Sequence, residues 1–384
     1  MPLDRSRNVI IFSETDHSQF EADSLRTVII NRLNQTLDID YYFFEWSTVD
    51  YFVFKLLKEN KINVDSILNY QSNVLKLDSR WTYGNILKKE YNFLSKKYIA
   101  NVTNVDMLPI DIGTDQIDFP LCTMAYLTRV ANVKQDVFIN KFVDSLVFDH
   151  RQLFNFSVLE AIPDSVYIPF KIRSDEFLLR LTQDSNFSSL IVWQWKNLFN
   201  GLFHKYFQRE ELKIYKENIS LLNFSSYMKF RDSIMFKNLE TGLIEKDWKN
   251  VVVSVSSFHS MYNYSNKIEF SNIIANDYKT LGQRLSDKYG NSIKRIALVC
   301  YKCKNENDKK FKKSKKKTIF LENQLAKKYN YAFVSLSEMR KDNDFKKFQF
   351  YFRPTFQYPV QSDWQNIFDG VIFIRNCECL NDRR

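Results

Sequence analysis

Four of the five cysteines fall in two tight pairs, Cys300-x-x-Cys303 and Cys377-x-Cys379. Four thiolates at such spacing form the donor set of a structural zinc site. Each pair follows a strand-like run, so one end of a sheet would bring the two together. No other cofactor is suggested by the residues, and the competing reading makes Cys300 a small buried hydrophobe. A second chemistry-bearing group is cationic. Nine lysines lie between Lys302 and Lys317 with only Glu306 and Asp308 to offset them, a local +7 out of a formal +10. Lys309, Lys310, Lys312, Lys313, Lys315, Lys316 and Lys317 are the candidate contacts to a polyanion, either nucleic acid or an anionic membrane face. Lysine supplies point charge without base readout, so such binding would be salt-sensitive and tolerant of sequence. A solvated arm that only keeps the chain soluble is the alternative.

The four histidines, His17, His150, His204 and His259, form no H-x-x-x-H or H-E-x-x-H pair, which argues against the common catalytic zinc arrangements. Asp232 and Asp247-Trp248-Lys249 carry a faint likeness to the D…D-x-K core of metal-dependent nucleases, in which carboxylates hold Mg²⁺ and the lysine polarises phosphate. A solvated turn before the next strand explains the same residues. Trp193, Trp195, Phe199, Phe203 and Phe207 recur at helical spacing, as a core face does. A surface for stacking bases or meeting a partner helix would have the same spacing.

The elements that must position these groups alternate at both ends of the chain. Asn8–Phe12 reads as a strand, followed by a Ser18-x-x-Glu21 capping box and a helix with Leu25, Val28, Ile29 and Leu33 on one face. Asp38–Trp46 is a second, aromatic strand. Later, Val251–Ser256, Ile296–Cys300, Ala332–Leu336 and Gly370–Ile374 read as strands. Helices are expected within 267–288, stopped by Gly290-Asn291, and over 318–329. Between about 90 and 250 the rhythm changes to helix, notably Ile191–Tyr206, with extended pieces such as Val166–Ile172. With 7 glycines in the chain and neither G-x-G-x-x-G nor a P-loop pattern, glycine-loop nucleotide binding is excluded. No apolar run is long enough to span a bilayer. The first residues read as a strand, not a signal peptide, and the cysteines read as reduced thiols, which places the chain in the cytoplasm, or in the nucleus of a eukaryote.

The order of parts from 251 to 338, together with NVIIF-SET at the start, resembles the SGNH (GDSL-type) esterase and acyltransferase family. That resemblance implies a parallel three-layer sheet and acyl-transfer chemistry. Its nucleophile turn falls on Ser13-Glu14-Thr15 in place of Gly-Asp-Ser, and its second motif falls on Ser257-Phe258-His259-Ser260. The family's catalytic histidine near the C-terminus has no counterpart, because no histidine follows His259. A Ser–His–Asp relay needs an imidazole base, so a rewired site would have to use Ser13 or Thr15 with His259.

The expected architecture is therefore α/β, a three-layer parallel sheet of SGNH or flavodoxin type carrying a mostly helical insertion. Residues 1–90 and 250–384 would form one discontinuous domain, and 91–249 the insertion. The leading functional expectation is a binding or regulatory protein, a catalytically degenerate SGNH-like domain whose basic loop contacts a polyanion while the insertion meets a protein partner. The alternative is an acyltransferase or esterase acting on a glycan. A metal-dependent nuclease is the outsider.

Overall fold

The computed structural model describes residues 7–14, 20–59, 61–73, 102–112, 118–153, 164–214, 225–243, 247–262, 279–303, 321–343, 350–352 and 360–377. Thr15, His17, Cys379 and Lys304–Lys317 lie outside them. Two compact units are formed, one of Met1–Glu45, Leu94–Ile110 and Met235–Arg384, the other of Trp46–Phe93 and Asp111–Ile234.

The first unit is built on a seven-stranded sheet. Its strands are β1 (Asn8–Glu14), β2 (Tyr41–Ser47), β3 (Asp106–Asp111), β4 (Asn250–Ser256), β5 (Ile293–Cys303), β6 (Tyr331–Ser335) and β9 (Gly370–Cys377), in the order β3-β2-β4-β1-β5-β9-β6. The pairs β2–β4, β4–β1, β1–β5 and β5–β9 are parallel, and β6 closes one edge antiparallel to β9. Two short strands, β7 (Phe350–Phe352) and β8 (Val360–Ser362), form a separate antiparallel pair. The central strands are buried on both faces, which is why they read as unbroken runs such as VVVSVS and YYFF instead of alternating. The first strand of the chain lies between β4 and β5, with Ile10 level with Val252 and Lys294.

Helices cover both faces. The helix α1 (Phe20–Leu37) packs on β5 and β9, where Ala22 and Leu25 meet Cys300 and Ile374. On the other face Val9, Ile11, Phe43, Val251, Val253 and Val255 pack with Met235 and Leu239 of one later helix and Leu281 and Leu285 of another. The predicted strands are all present, each displaced by a few residues at its ends. Two readings change. The buried face of α1 is Ala22, Asp23, Arg26, Thr27 and Ile30, while Val28 is 63% exposed. An ion pair described below draws that face inward at the expense of an apolar residue. Val166–Ile172, read as extended, lies inside a helix. Phe170, Ser174, Phe177 and Leu181 recur there at helical spacing and are buried, so packing overrides local β propensity.

The second unit is helical: α2 (Thr48–Lys58), α3 (Val64–Asn73), α4 (Asp118–Ala131), α5 (Val137–Leu153), α6 (Asp164–Gln183) and α7 (Ser189–Ile214), with the start of α8 (Ser225–Leu243), which continues into the first unit. Its core is aromatic. Phe177 stacks on Phe142 at 4.5 Å between ring centroids and meets Trp195 edge-on at 5.0 Å. The Trp195 indole donates to Thr128 Oγ1 at 2.7 Å, so its one polar atom is satisfied on burial. Trp195 and Phe199 thus form a core face. Among the described residues no helix is long and apolar enough to cross a membrane.

Candidate functional site

Parallel α/β sheets bind ligands at the carboxyl ends of their strands, and three central strands of this sheet end in polar residues. The end of β1 is Glu14, level with Ser256 of β4 and Leu298 of β5. Glu45 stands near the end of β2, one residue past the Phe44–Ser254 pair. The chain leaves β4 directly into α9 (Ser257–Ser260), a single helical turn that packs on β1 and β4 and holds His259.

His259 and Glu45 form a buried pair. Their Nε2 and Oε1 atoms are 3.5 Å apart, with the side chains 2% and 5% exposed. The other carboxylate oxygen, Oε2, accepts from the Ser256 backbone N–H at 2.5 Å. One carboxylate therefore ties the histidine to the strand end beneath it. A neutral imidazole that turns Nε2–H to a carboxylate keeps its lone pair on Nδ1, the arrangement of a general base with a fixed tautomer.

A second buried cluster occupies the α1 face of the same strand ends. Arg26 pairs with Glu14 Oε1 and, at 3.2 Å, with Asp23 Oδ1. All three side chains are almost wholly inaccessible. Burial pushes the Tyr42 phenol up from its ordinary value, while the Arg26 charge and the neighbouring Ser254 hydroxyl draw it back. Three carboxylates, one guanidinium and a histidine gathered around the ends of β1, β2 and β4 are costly to bury unless mutually paired, and such a concentration makes this end of the sheet the candidate site.

The residues singled out from the sequence are distributed unevenly around this centre. His259 lies in it. Ser13 is fully buried in β1 beside Val255 and Ala297, and its Oγ makes no hydrogen bond among the described residues. Cys303 and Cys377 are level on neighbouring strands, so the two cysteine motifs do reach one end of the sheet. Cys300 is disulfide-bonded and not a reduced thiol, and a disulfide sulfur is not a thiolate ligand for zinc. Asp247 and Lys249 are exposed at the amino end of β4, opposite the site, where Lys249 N donates to Asp40 Oδ2 at 2.7 Å. Asp232 is buried within α8. Glu14, Arg26 and Glu45 did not stand out in the sequence. The available signal was a carboxylate ending each of two apolar strand runs, IIFSE and YYFFE, which an ordinary buried strand has no reason to carry.

No family model and no curated protein matches the sequence. Solved structures do match in fold. A Bacillus cereus protein superposes with TM-score 0.59 at 13% identity, over 97% of this chain and 90% of its own. A succinoglycan biosynthesis protein gives 0.55 at 10% identity, over 97% and 89%. The erythromycin esterase EreC, in an open conformation and with a histidine replaced by asparagine, gives 0.54 at 12% identity, over 98% and 92%. An esterase shares this fold. At these identities the likeness is one of architecture, and chemistry must be argued from the site. The SGNH family named from the order of parts is not among these matches.

Proposed function

We propose that this chain hydrolyses esters, with His259 as the general base and Glu45 as the carboxylate that orients it. The observation that carries the reading is the buried His259–Glu45 pair at the carboxyl ends of β2 and β4. In the proposed step a water oxygen attacks the acyl carbon and its proton passes to the His259 imidazole. The tetrahedral intermediate collapses, the ester C–O bond breaks, and the imidazolium returns the proton to the departing alkoxide. Acid and alcohol are the products, and no other co-reactant is needed. Water serves better than Ser13 as nucleophile, since the Ser13 Oγ makes no hydrogen bond to His259 or to any other described residue. The shared fold of an erythromycin esterase supports the reaction class, and that of a succinoglycan biosynthesis protein supports an acylated glycan as substrate. The SGNH comparison contributes acyl transfer as a theme and not its relay. The lysine-rich arm lies outside the described residues and adds nothing to this reading.

The test is turnover of p-nitrophenyl acetate and release of acetate from acetylated xylan. His259→Ala and Glu45→Gln should each lower kcat by about 10²–10⁴-fold while the protein stays folded. Equal rates in wild type and both variants would remove the proposal.

A further inference from the structure

A four-residue turn is too short to fix the direction of a side chain by itself, since it closes a single turn of hydrogen bonds. Within α9 the Ser260 hydroxyl donates to the Ser257 carbonyl at 2.8 Å, which holds the turn closed but not its orientation. The orientation is set from the next described helix, α10 (Leu281–Tyr289). Its second residue, Gly282, is buried against the backbone of Ser260, and a Cβ there would overlap the Ser260 carbonyl group. Its N-cap, Thr280, is also buried. The Thr280 hydroxyl accepts from Gln283 N at 3.0 Å and donates to the carbonyl of Met261. The two residues that follow His259 are thus held from the first turn of one helix, one by close packing and one by a hydrogen bond.

We propose that the first turn of α10 is a positioning clamp for His259, in which Gly282 and Thr280 fix the backbone at Ser260 and Met261 and so set the angle at which the imidazole meets Glu45. The catalytic meaning of the clamp rests on the hydrolase reading above, but its geometry does not. Neither residue touches a reacting atom. Thr280 separates the clamp from ordinary helix capping. Aspartate at 280 caps the helix as well as threonine does but has no hydroxyl to give to Met261, whereas serine supplies both bonds.

The experiment compares wild type with Gly282→Ala, Thr280→Asp and Thr280→Ser. It follows the His259 imidazole resonances in histidine-labelled protein and the hydrolysis of p-nitrophenyl acetate. The chain has 4 histidines, so the resonance lost in His259→Gln identifies its signal. Gly282→Ala and Thr280→Asp should shift that signal and its titration midpoint and lower kcat by about 10–100-fold with little change in KM. Thr280→Ser should match wild type. If Gly282→Ala does not fold, the two Thr280 variants decide. A His259 signal in Thr280→Asp identical to wild type overturns the clamp. If the signal moves but wild type hydrolyses neither ester, the clamp stands and the hydrolase reading falls. If the esters are hydrolysed and the signal stays in place, the reverse holds.

Discussion

Arg26 is the residue on which the α1 side of the site depends. It is 1% exposed and lies against Glu14 and Asp23. Removing it leaves two carboxylates buried without their counter-charge, a loss of about 3–5 kcal/mol. Arg26→Met should therefore lower the urea-denaturation free energy by that amount at neutral pH, and the deficit should shrink in acid as the carboxylates take up protons. A change below about 1 kcal/mol would show that the guanidinium is not what holds the pair. Sequence reading reached His259 through the SGNH resemblance, whose second motif falls on Ser257–Ser260. It passed over Glu14 and Glu45 because each sits inside a run whose aromatic and β-branched content explains itself as strand. Arg26 and Asp23 were hidden for the opposite reason. They are polar residues on a helix, and the rule that sends apolar side chains inward assigned the core face to Leu25 and Val28. Burial of paired charge is a tertiary event with no local period to read.

The strands and helices were legible where one signal dominated. VVVSVS and IALVC were marked by branching, and the end of α10 by glycine. Gly290 takes φ 58° and ψ −127°, a backbone region that residues with a Cβ avoid, and its N–H caps the helix on the Ser286 carbonyl. Gly290→Ala should cost about 1–3 kcal/mol in denaturant melts, with α10 the first helix to lose amide protection. A neutral substitution would mean that the turn can flip to negative φ at no expense. The α6 segment was misread because Val166, Ile168 and Ile172 favour strands locally, while the decisive residues, Phe177 and Leu181, lie further along. Local propensity loses wherever a buried face of helical period extends past the window in which it is judged.

At the scale of the whole molecule, five tyrosines share one bias. The phenols of Tyr42, Tyr51, Tyr70, Tyr167 and Tyr289 are all pushed above their ordinary value, in each case first by burial. The folded state therefore keeps these protons after an unfolded chain has released them. Stability should be complete below about pH 10 and should fall as the pH climbs beyond it, with the wholly buried Tyr42 adding about 1.4 kcal/mol per pH unit to the slope. Denaturation followed between about pH 8 and pH 11, beside the ultraviolet signal of phenolate, checks this. Tyr42→Phe should flatten the slope, and a stability that is level across the range would contradict the burial of these rings. The alternation of strand and helix at both ends of the chain was enough to place β1 in one sheet with β4 and β5, because parallel pairing of short buried strands leaves few other partners. That pairing has a cost during synthesis. The side-chain bond from Asn8 to Asn250 spans 242 residues, and at roughly 5–20 residues per second the ribosome needs on the order of tens of seconds to deliver the second partner. For that interval the nascent NVIIFS segment lacks both of its direct neighbours, β4 and β5, and an apolar strand with two open edges is exposed to wrong pairing.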